Sequence, residues 1–126
     1  MKRIITTSNA PAPIGPYSQA VLTGNTLYTS GQIAINPANG ELVLDDIKTE
    51  TEQVMLNLKA VLTEANMTFE NVIKTTIFLS DMNNFSLVNE VYGTYFNEDT
   101  APARETVAVK ALPKFVNVEI SVVAVQ

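Results

Sequence analysis

The sequence predicts one α+β domain in the order β-ββ-α-β-α-β-β, with both helices on one face of a mixed sheet of about six strands. Two observations predict it: β-favouring runs lie at both ends of the chain, and apolar residues with helical spacing lie in two stretches between them. At 126 residues, the chain is long enough for a single domain with its own core. Something must cover the second sheet face, and another copy of the chain is the simplest candidate.

The strands are predicted from β-favouring runs that turn signals separate. Gly24-Asn25 marks a two-residue hairpin, and three prolines make Asn9–Tyr17 an extended loop. Gly31–Ile35 is expected to continue the third strand, with a bulge at Gly31. A hairpin through Leu112–Lys114 is expected to join the last two strands. The predicted strands are Lys2–Thr6, Ser18–Thr23, Thr26–Ser30, Val72–Leu79, Glu105–Lys110 and Asn117–Val125.

Two segments with apolar stripes predict the helices. In the first, Thr49–Glu52 matches a capping box, although Asp45 or Asp46 offers an earlier start. The second helix is expected over about residues 84–96. The side chains expected to face the core are Val54, Leu58, Val61, Leu62 and Ala65 in the first helix, and Phe85, Val88, Tyr92, Tyr95 and Phe96 in the second.

Composition disfavours some classes of function and excludes others. The net charge of −5 and the scattered basic residues disfavour a nucleic-acid-binding surface. No apolar run is long enough for a membrane span and no signal segment is visible, so a cytoplasmic protein is expected. Because the chain has no histidine and no cysteine, it lacks the residues of a Ser-His-Asp triad, a thiol nucleophile or a zinc finger. Only 17% of its residues are charged, which indicates an oligomer with part of this surface buried.

Arg104 stands where a loop enters an apolar strand, and the chain has only one other arginine, Arg3. A guanidinium is a permanently charged fork that binds a carboxylate with two hydrogen bonds. Its desolvation beside an apolar strand is costly unless an anion meets it. Two interpretations stay open: Arg104 holds an acidic ligand, or it belongs to a structural ion pair.

Glu119 lies in the middle of the last strand, on the polar side of its alternation with Asn117 and Ser121. The residues alone favour a solvated face or an ion pair with a neighbouring strand over a general base or a water-orienting carboxylate. A hairpin of the last two strands would bring Arg104 and Glu119 to a common pocket, or pair them as a salt bridge.

Three further residues have a functional and an ordinary interpretation. Tyr17 ends the proline-rich loop, where it would form a pocket wall or pack against its own loop. Asn89 is either a ligand contact or a satisfied polar residue among apolar helix positions. Gly31 would offer its backbone to a ligand or simply kink a strand.

Three motifs taken together resemble the Rid (YjgF) family of reactive-intermediate deaminases: Ile14–Ala20, Ser30–Ile33, and Ala101–Arg104 with Leu112-Pro113 downstream. The resemblance covers essentially the whole chain. It implies a chorismate-mutase-like α+β fold for residues 1–126 and a homotrimer with ligand clefts between subunits. It also implies hydrolysis of 2-iminopropanoate and 2-iminobutanoate, products of pyridoxal-phosphate dehydratases, to 2-oxo acids and ammonia, with no cofactor and no metal.

The same resemblance implies the site residues. Arg104 matches the family arginine that clamps the substrate carboxylate, and Glu119 matches the glutamate that positions the attacking water. Tyr17, Gly31 and Asn89 match pocket positions. Thr106 is expected to present its backbone N–H to the carboxylate.

The chain departs from the family pattern at three positions in its fifth strand. Thr106 replaces a common cysteine, which a backbone contact tolerates, and Ala108 stands where a glutamate is usual. Glu105 adds an anion beside Arg104, but strand alternation is expected to direct its side chain away.

Two other functions compete with imine hydrolysis. A non-enzymatic module could use the same arginine to bind a small carboxylate and regulate a partner. A ribonuclease or translation inhibitor is disfavoured because the chain is acidic and lacks histidine.

Overall fold

Six strands form one mixed sheet in the computed structural model, which describes residues 1–126. The strand order is β1-β2-β3-β6-β4-β5, and only β4 and β5 pair in parallel. The strands are β1 Lys2–Ile5, β2 Ala20–Thr23, β3 Thr26–Thr29, β4 Val72–Leu79, β5 Ala103–Ala108 and β6 Val118–Val125, and the helices are α1 Ile47–Glu64 and α2 Phe85–Gly93. The predicted α+β class and order of elements are confirmed.

The first helix begins before the predicted capping box. Asp46 is its N-cap, because its side chain accepts a hydrogen bond of 2.8 Å from the backbone N–H of Thr49. The cap at Thr49 is therefore wrong and the earlier start is correct. Glu50, a member of the predicted box, is instead fully buried and accepts hydrogen bonds from the backbone N–H groups of Asn117 and Val118. This carboxylate ties α1 to the start of β6.

The predicted hairpin between the last two strands is wrong. The segment β4-α2-β5 is a crossover, so β5 lies parallel to β4 at its outer side, while β6 pairs with the other side of β4. Gly31–Ile35 also fails to continue β3. Only Gln32 bridges to β6, and the side chain of Asn57 on α1 donates to the carbonyls of Ile33 and Ile35.

The two faces of the sheet differ sharply in burial. The face under the helices carries fully or nearly fully buried residues such as Thr75, Ile77 and Ile120. The opposite face carries large apolar side chains that stay exposed: Ile4 is 47% exposed and Tyr28 52%. Neither helix covers this face, and neither has the length and apolar composition of a membrane span.

Candidate active site

Glu119 lies in a cleft of about 310 Å³ on the sheet face opposite the helices. Its neighbours come from the proline-rich loop, from the segment after β3 and from the loop before β6. They include Tyr17, Gly31, Ile33 and Pro113. The structure therefore brings three of the predicted site residues, Tyr17, Gly31 and Glu119, into one cleft.

The carboxylate of Glu119 has no partner in the chain. It is half-buried and takes part in none of the side-chain hydrogen bonds, while the chain's two ion pairs are Lys48–Glu90 and Lys74–Glu105. The predicted ion pair with a neighbouring strand is therefore wrong. Burial raises the pKa of Glu119 above its ordinary value, because desolvation disfavours the charged form. A half-buried, unpaired carboxylate with a raised pKa is suited to accepting a proton.

Gly31 is required by the position of Glu119. A Cβ atom added at residue 31 would lie 2.7 Å from Cδ of the Glu119 side chain, a distance that real Cβ atoms essentially never show. Glycine therefore lets the carboxylate lie directly against the backbone that follows β3.

The loop that lines this cleft is held by two side chains. The Tyr17 hydroxyl accepts a hydrogen bond of 3.2 Å from the backbone N–H of Ile14, so Tyr17 both closes its own loop and lines the cleft. Buried Gln19 accepts from the N–H of Thr7 at 2.7 Å, and its amide donates to the carbonyl oxygens of Thr7, Ala10 and Pro11. Sequence reasoning missed Gln19. The signal was an amide side chain directly after a loop whose carbonyls have no strand partner.

Arg104 lies on the helix side of the sheet, beside α2. Its Nη1 donates a hydrogen bond of 2.7 Å to Oδ1 of Asn89. Its guanidinium carbon lies 5.0 Å from the ring centroid of Tyr92 and 5.6 Å from that of Phe85, within the range of cation–π attraction. No carboxylate of the chain forms an ion pair with Arg104, so the structural ion pair considered for it is absent.

Tyr92 is held in place under the guanidinium. Its hydroxyl donates to Oγ1 of Thr75 at 3.1 Å, and burial raises the pKa of Tyr92, which keeps the phenol neutral. The sequence predicted Phe85 and Tyr92 only as core residues, whereas their rings also fix the position of Arg104 beside a second cleft of about 390 Å³. Asn89, a pocket candidate from the resemblance, lines that cleft and orients the arginine.

Thr106 and Glu105 follow Arg104 along the edge strand. The N–H of Val109 donates to the carbonyl of Leu79 on β4 at 2.8 Å. Because backbone N–H groups alternate in direction along a strand, the N–H of Thr106 faces the free edge, where a ligand can reach it. The side chain of Glu105 forms an ion pair with Lys74 at 3.1 Å, so its predicted direction away from Arg104 is confirmed.

Arg104 and Glu119 do not share a pocket within one chain. Arg104 is paired in register with Thr75 and Glu119 with Phe78, and these two residues of β4 point to opposite faces of the sheet. The common pocket expected from a terminal hairpin is therefore wrong. The candidate residues therefore form two separate groups, named here the carboxylate half-site (Tyr17, Gly31 and Glu119) and the arginine half-site (Asn89, Arg104 and Thr106).

Comparison with known proteins places the chain in a family. The model of the YjgF/RutC/Rid family, described as endoribonuclease L-PSP, matches residues 7–126. The chain belongs to the Rid family. A mouse Rid relative named 2-iminobutanoate/2-iminopropanoate deaminase is 47% identical over 126 residues, which cover all of this chain and 93% of the relative.

Other Rid relatives carry different names. A Lactococcus lactis protein named as a candidate regulator, AldR, is 51% identical over 122 residues, which cover 97% of this chain and 96% of the relative. The crystal structure of E. coli TdcF with bound serine superposes with a TM-score of 0.92 at 40% identity, covering 98% of each chain. The Rid fold is thus shared along the whole chain, while the names of its members differ.

Proposed function

We propose that this protein hydrolyses reactive 2-imino acids, 2-iminopropanoate and 2-iminobutanoate, to 2-oxo acids and ammonia. The observation that carries the proposal is a pair of complementary charges without ion-pair partners: the guanidinium of Arg104, fixed by Asn89, and the half-buried carboxylate of Glu119. A 2-imino acid presents an anion and a cationic C=N group, which match these two charges. The name of the mouse relative supports this substrate class.

The two half-sites lie on opposite faces of the sheet, so we propose that one complete site forms between two copies of the chain. A homotrimer would place the arginine half-site of one copy against the carboxylate half-site of the next. The exposed apolar residues on the face that carries Glu119, among them Ile4, Tyr28 and Val107, supply a surface for that contact.

In this site, Arg104 and the backbone N–H of Thr106 hold the substrate carboxylate, while Glu119 faces the protonated imine. Water adds to C2 of the protonated imine as Glu119 takes one of the water's protons, and Glu119 then gives that proton to the amino nitrogen of the adduct. The C–N bond breaks as the C=O bond of the 2-oxo acid forms, and the ammonia that leaves takes up the hydroxyl proton. Because a protonated imine is already a good electrophile, positioning and charge stabilisation suffice and no cofactor is needed. Each ~1.4 kcal/mol gained only in the transition state accelerates the reaction tenfold.

A trapping assay tests the activity. 2-Iminobutanoate is generated enzymatically in the presence of semicarbazide, which captures the imine before it reacts with water. We expect the protein to lower the rate of semicarbazone formation in proportion to its concentration, while Arg104→Ala does not. Unchanged semicarbazone formation at every protein concentration would contradict hydrolysis.

A carboxylate-binding regulator is the second candidate, favoured by the name of the AldR relative. Bound serine in TdcF supports small carboxylates as ligands for either function. Binding of 2-oxobutanoate without acceleration in the trapping assay would favour the regulator.

We do not propose the ribonuclease activity in the family's description, because the chain has a net charge of −5 and no histidine for acid–base cleavage of a phosphodiester.

A further inference from the structure

One buried hydroxyl of the chain, that of Thr106, lacks a hydrogen-bond partner. Its Oγ1 is the only buried side-chain nitrogen or oxygen atom without a hydrogen-bond partner. The buried hydroxyl of Thr75, on the neighbouring strand, accepts from Tyr92 at 3.1 Å. Because a buried polar group without a partner destabilises the folded state, such exceptions tend to occur where a ligand completes the bonding.

The position of Thr106 points to the ligand of Arg104. The two residues are two positions apart on β5, so their side chains lie on the same face of the sheet. Helix α2 joins the parallel strands β4 and β5 and therefore runs antiparallel to them, which places Phe85 toward the end of β5. The guanidinium donates to Asn89 and lies over the rings of Phe85 and Tyr92, which places it beside the face of β5 that also carries Thr106.

We propose that Oγ1 of Thr106 is a further hydrogen-bond donor to the carboxylate that Arg104 holds, and that this hydroxyl raises the affinity for that carboxylate. The inference rests on the carboxylate-clamp part of the proposed function. No hydrogen bond fixes the hydroxyl in the ligand-free chain, so rotation about χ1 toward a carboxylate breaks no existing bond.

Three groups then converge on one anion: the guanidinium, the outward N–H of Thr106 and its hydroxyl. A carboxylate accepts from all three through two charged oxygens. A carboxamide of the same shape has one acceptor oxygen and turns an N–H donor toward the guanidinium or the backbone N–H, so it binds poorly whether or not the hydroxyl is present. The hydroxyl, which can donate or accept, therefore adds affinity for the carboxylate, while the two donor-only groups discriminate against the carboxamide.

Thr106→Val tests the inference because valine keeps the side-chain shape and exchanges the hydroxyl for a methyl group. Titration calorimetry with 2-oxobutanoate should show a Kd raised about tenfold in Thr106→Val, and close to the unmodified value in Thr106→Ser. The Tm of ligand-free Thr106→Val should stay unchanged or rise, since an unpartnered buried hydroxyl has been removed. Lower affinity without lower stability separates a ligand contact from a purely structural role.

Two outcomes would overturn the inference: an unchanged Kd in Thr106→Val, or a lowered Tm, which would mean that the hydroxyl has a partner within the assembly. Thr75→Val is the control for the stability measurement. It removes the hydrogen-bond acceptor of the Tyr92 hydroxyl and should therefore lower the Tm. Arg104→Ala separates this inference from the proposed function. If Arg104→Ala loses binding and Thr106→Val does not, only the role of the hydroxyl fails. If Arg104→Ala binds 2-oxobutanoate normally, the carboxylate clamp itself fails.

Discussion

Arg104→Ala should lower kcat/KM for 2-iminobutanoate by about 100-fold or more, because it removes two charge-assisted hydrogen bonds worth roughly 1.5–3 kcal/mol each. The protein should still fold, since the guanidinium is exposed and its only side-chain hydrogen bond is to Asn89 on the surface. The trapping assay measures the loss, and circular dichroism with size-exclusion chromatography checks the fold and the assembly.

Arg3→Ala is the matched control, because it removes the chain's other arginine from the exposed edge strand β1 and should leave turnover unchanged. Arg104→Lys keeps the charge but loses the two-pronged geometry and much of the stacking on Phe85 and Tyr92, so it should recover only part of the activity. Full activity in Arg104→Ala would show that the substrate carboxylate is held elsewhere.

Glu119→Gln should lower kcat about 100-fold while the Kd for 2-oxobutanoate stays within about threefold, because the amide keeps the shape but cannot accept a proton. The split between turnover and binding distinguishes a group that acts on water from one that shapes the cleft. A parallel fall in both would mean that Glu119 is structural.

Glu119→Gln should also change the Tm of the protein by an amount that depends on pH. Burial raises the pKa of Glu119 in the folded protein, so this group contributes stability below its ordinary pKa and loses that contribution as the pH rises through the raised value. The unpaired carboxylate therefore destabilises the ligand-free protein at neutral pH. Glu119→Gln should raise the Tm at pH 7 and change it less at pH 4, as measured by calorimetry. A lower Tm at pH 7 would reveal a partner for the carboxylate in the assembly.

Local patterns predicted most elements because they follow directly from side-chain spacing. Strand β4 has its predicted bounds, Val72–Leu79, and α1 carries its predicted apolar stripe. The pairing of strands was less predictable, since it depends on which strands, distant in sequence, compete for the same edge of a neighbouring strand. β6 pairs with β4 and leaves β5 at the edge, an arrangement that sequence proximity did not indicate.

The site residues also divide into features that local sequence patterns predicted and features that depend on contacts between distant segments. Arg104 and Glu119 were recognisable as charges in apolar strands, although the desolvation expected there is found at half-buried Glu119 and not at exposed Arg104. Their separation onto opposite faces depends on the register of both strands with β4, which no local pattern encodes. Gln19 and the stacking of Arg104 on Tyr92 were also missed, since both join segments that are distant in sequence.

Subunit complementation tests the central claim, that each active site combines the arginine half-site of one copy with the carboxylate half-site of another. Arg104→Ala and Glu119→Gln chains are inactive alone and are mixed by co-refolding at equal amounts. If neighbouring copies share each site, about a quarter of the sites in the random mixture pair an intact Arg104 with an intact Glu119, so about a quarter of the unmodified activity should return. A mixture as inactive as either variant alone would contradict a site built between copies of the chain.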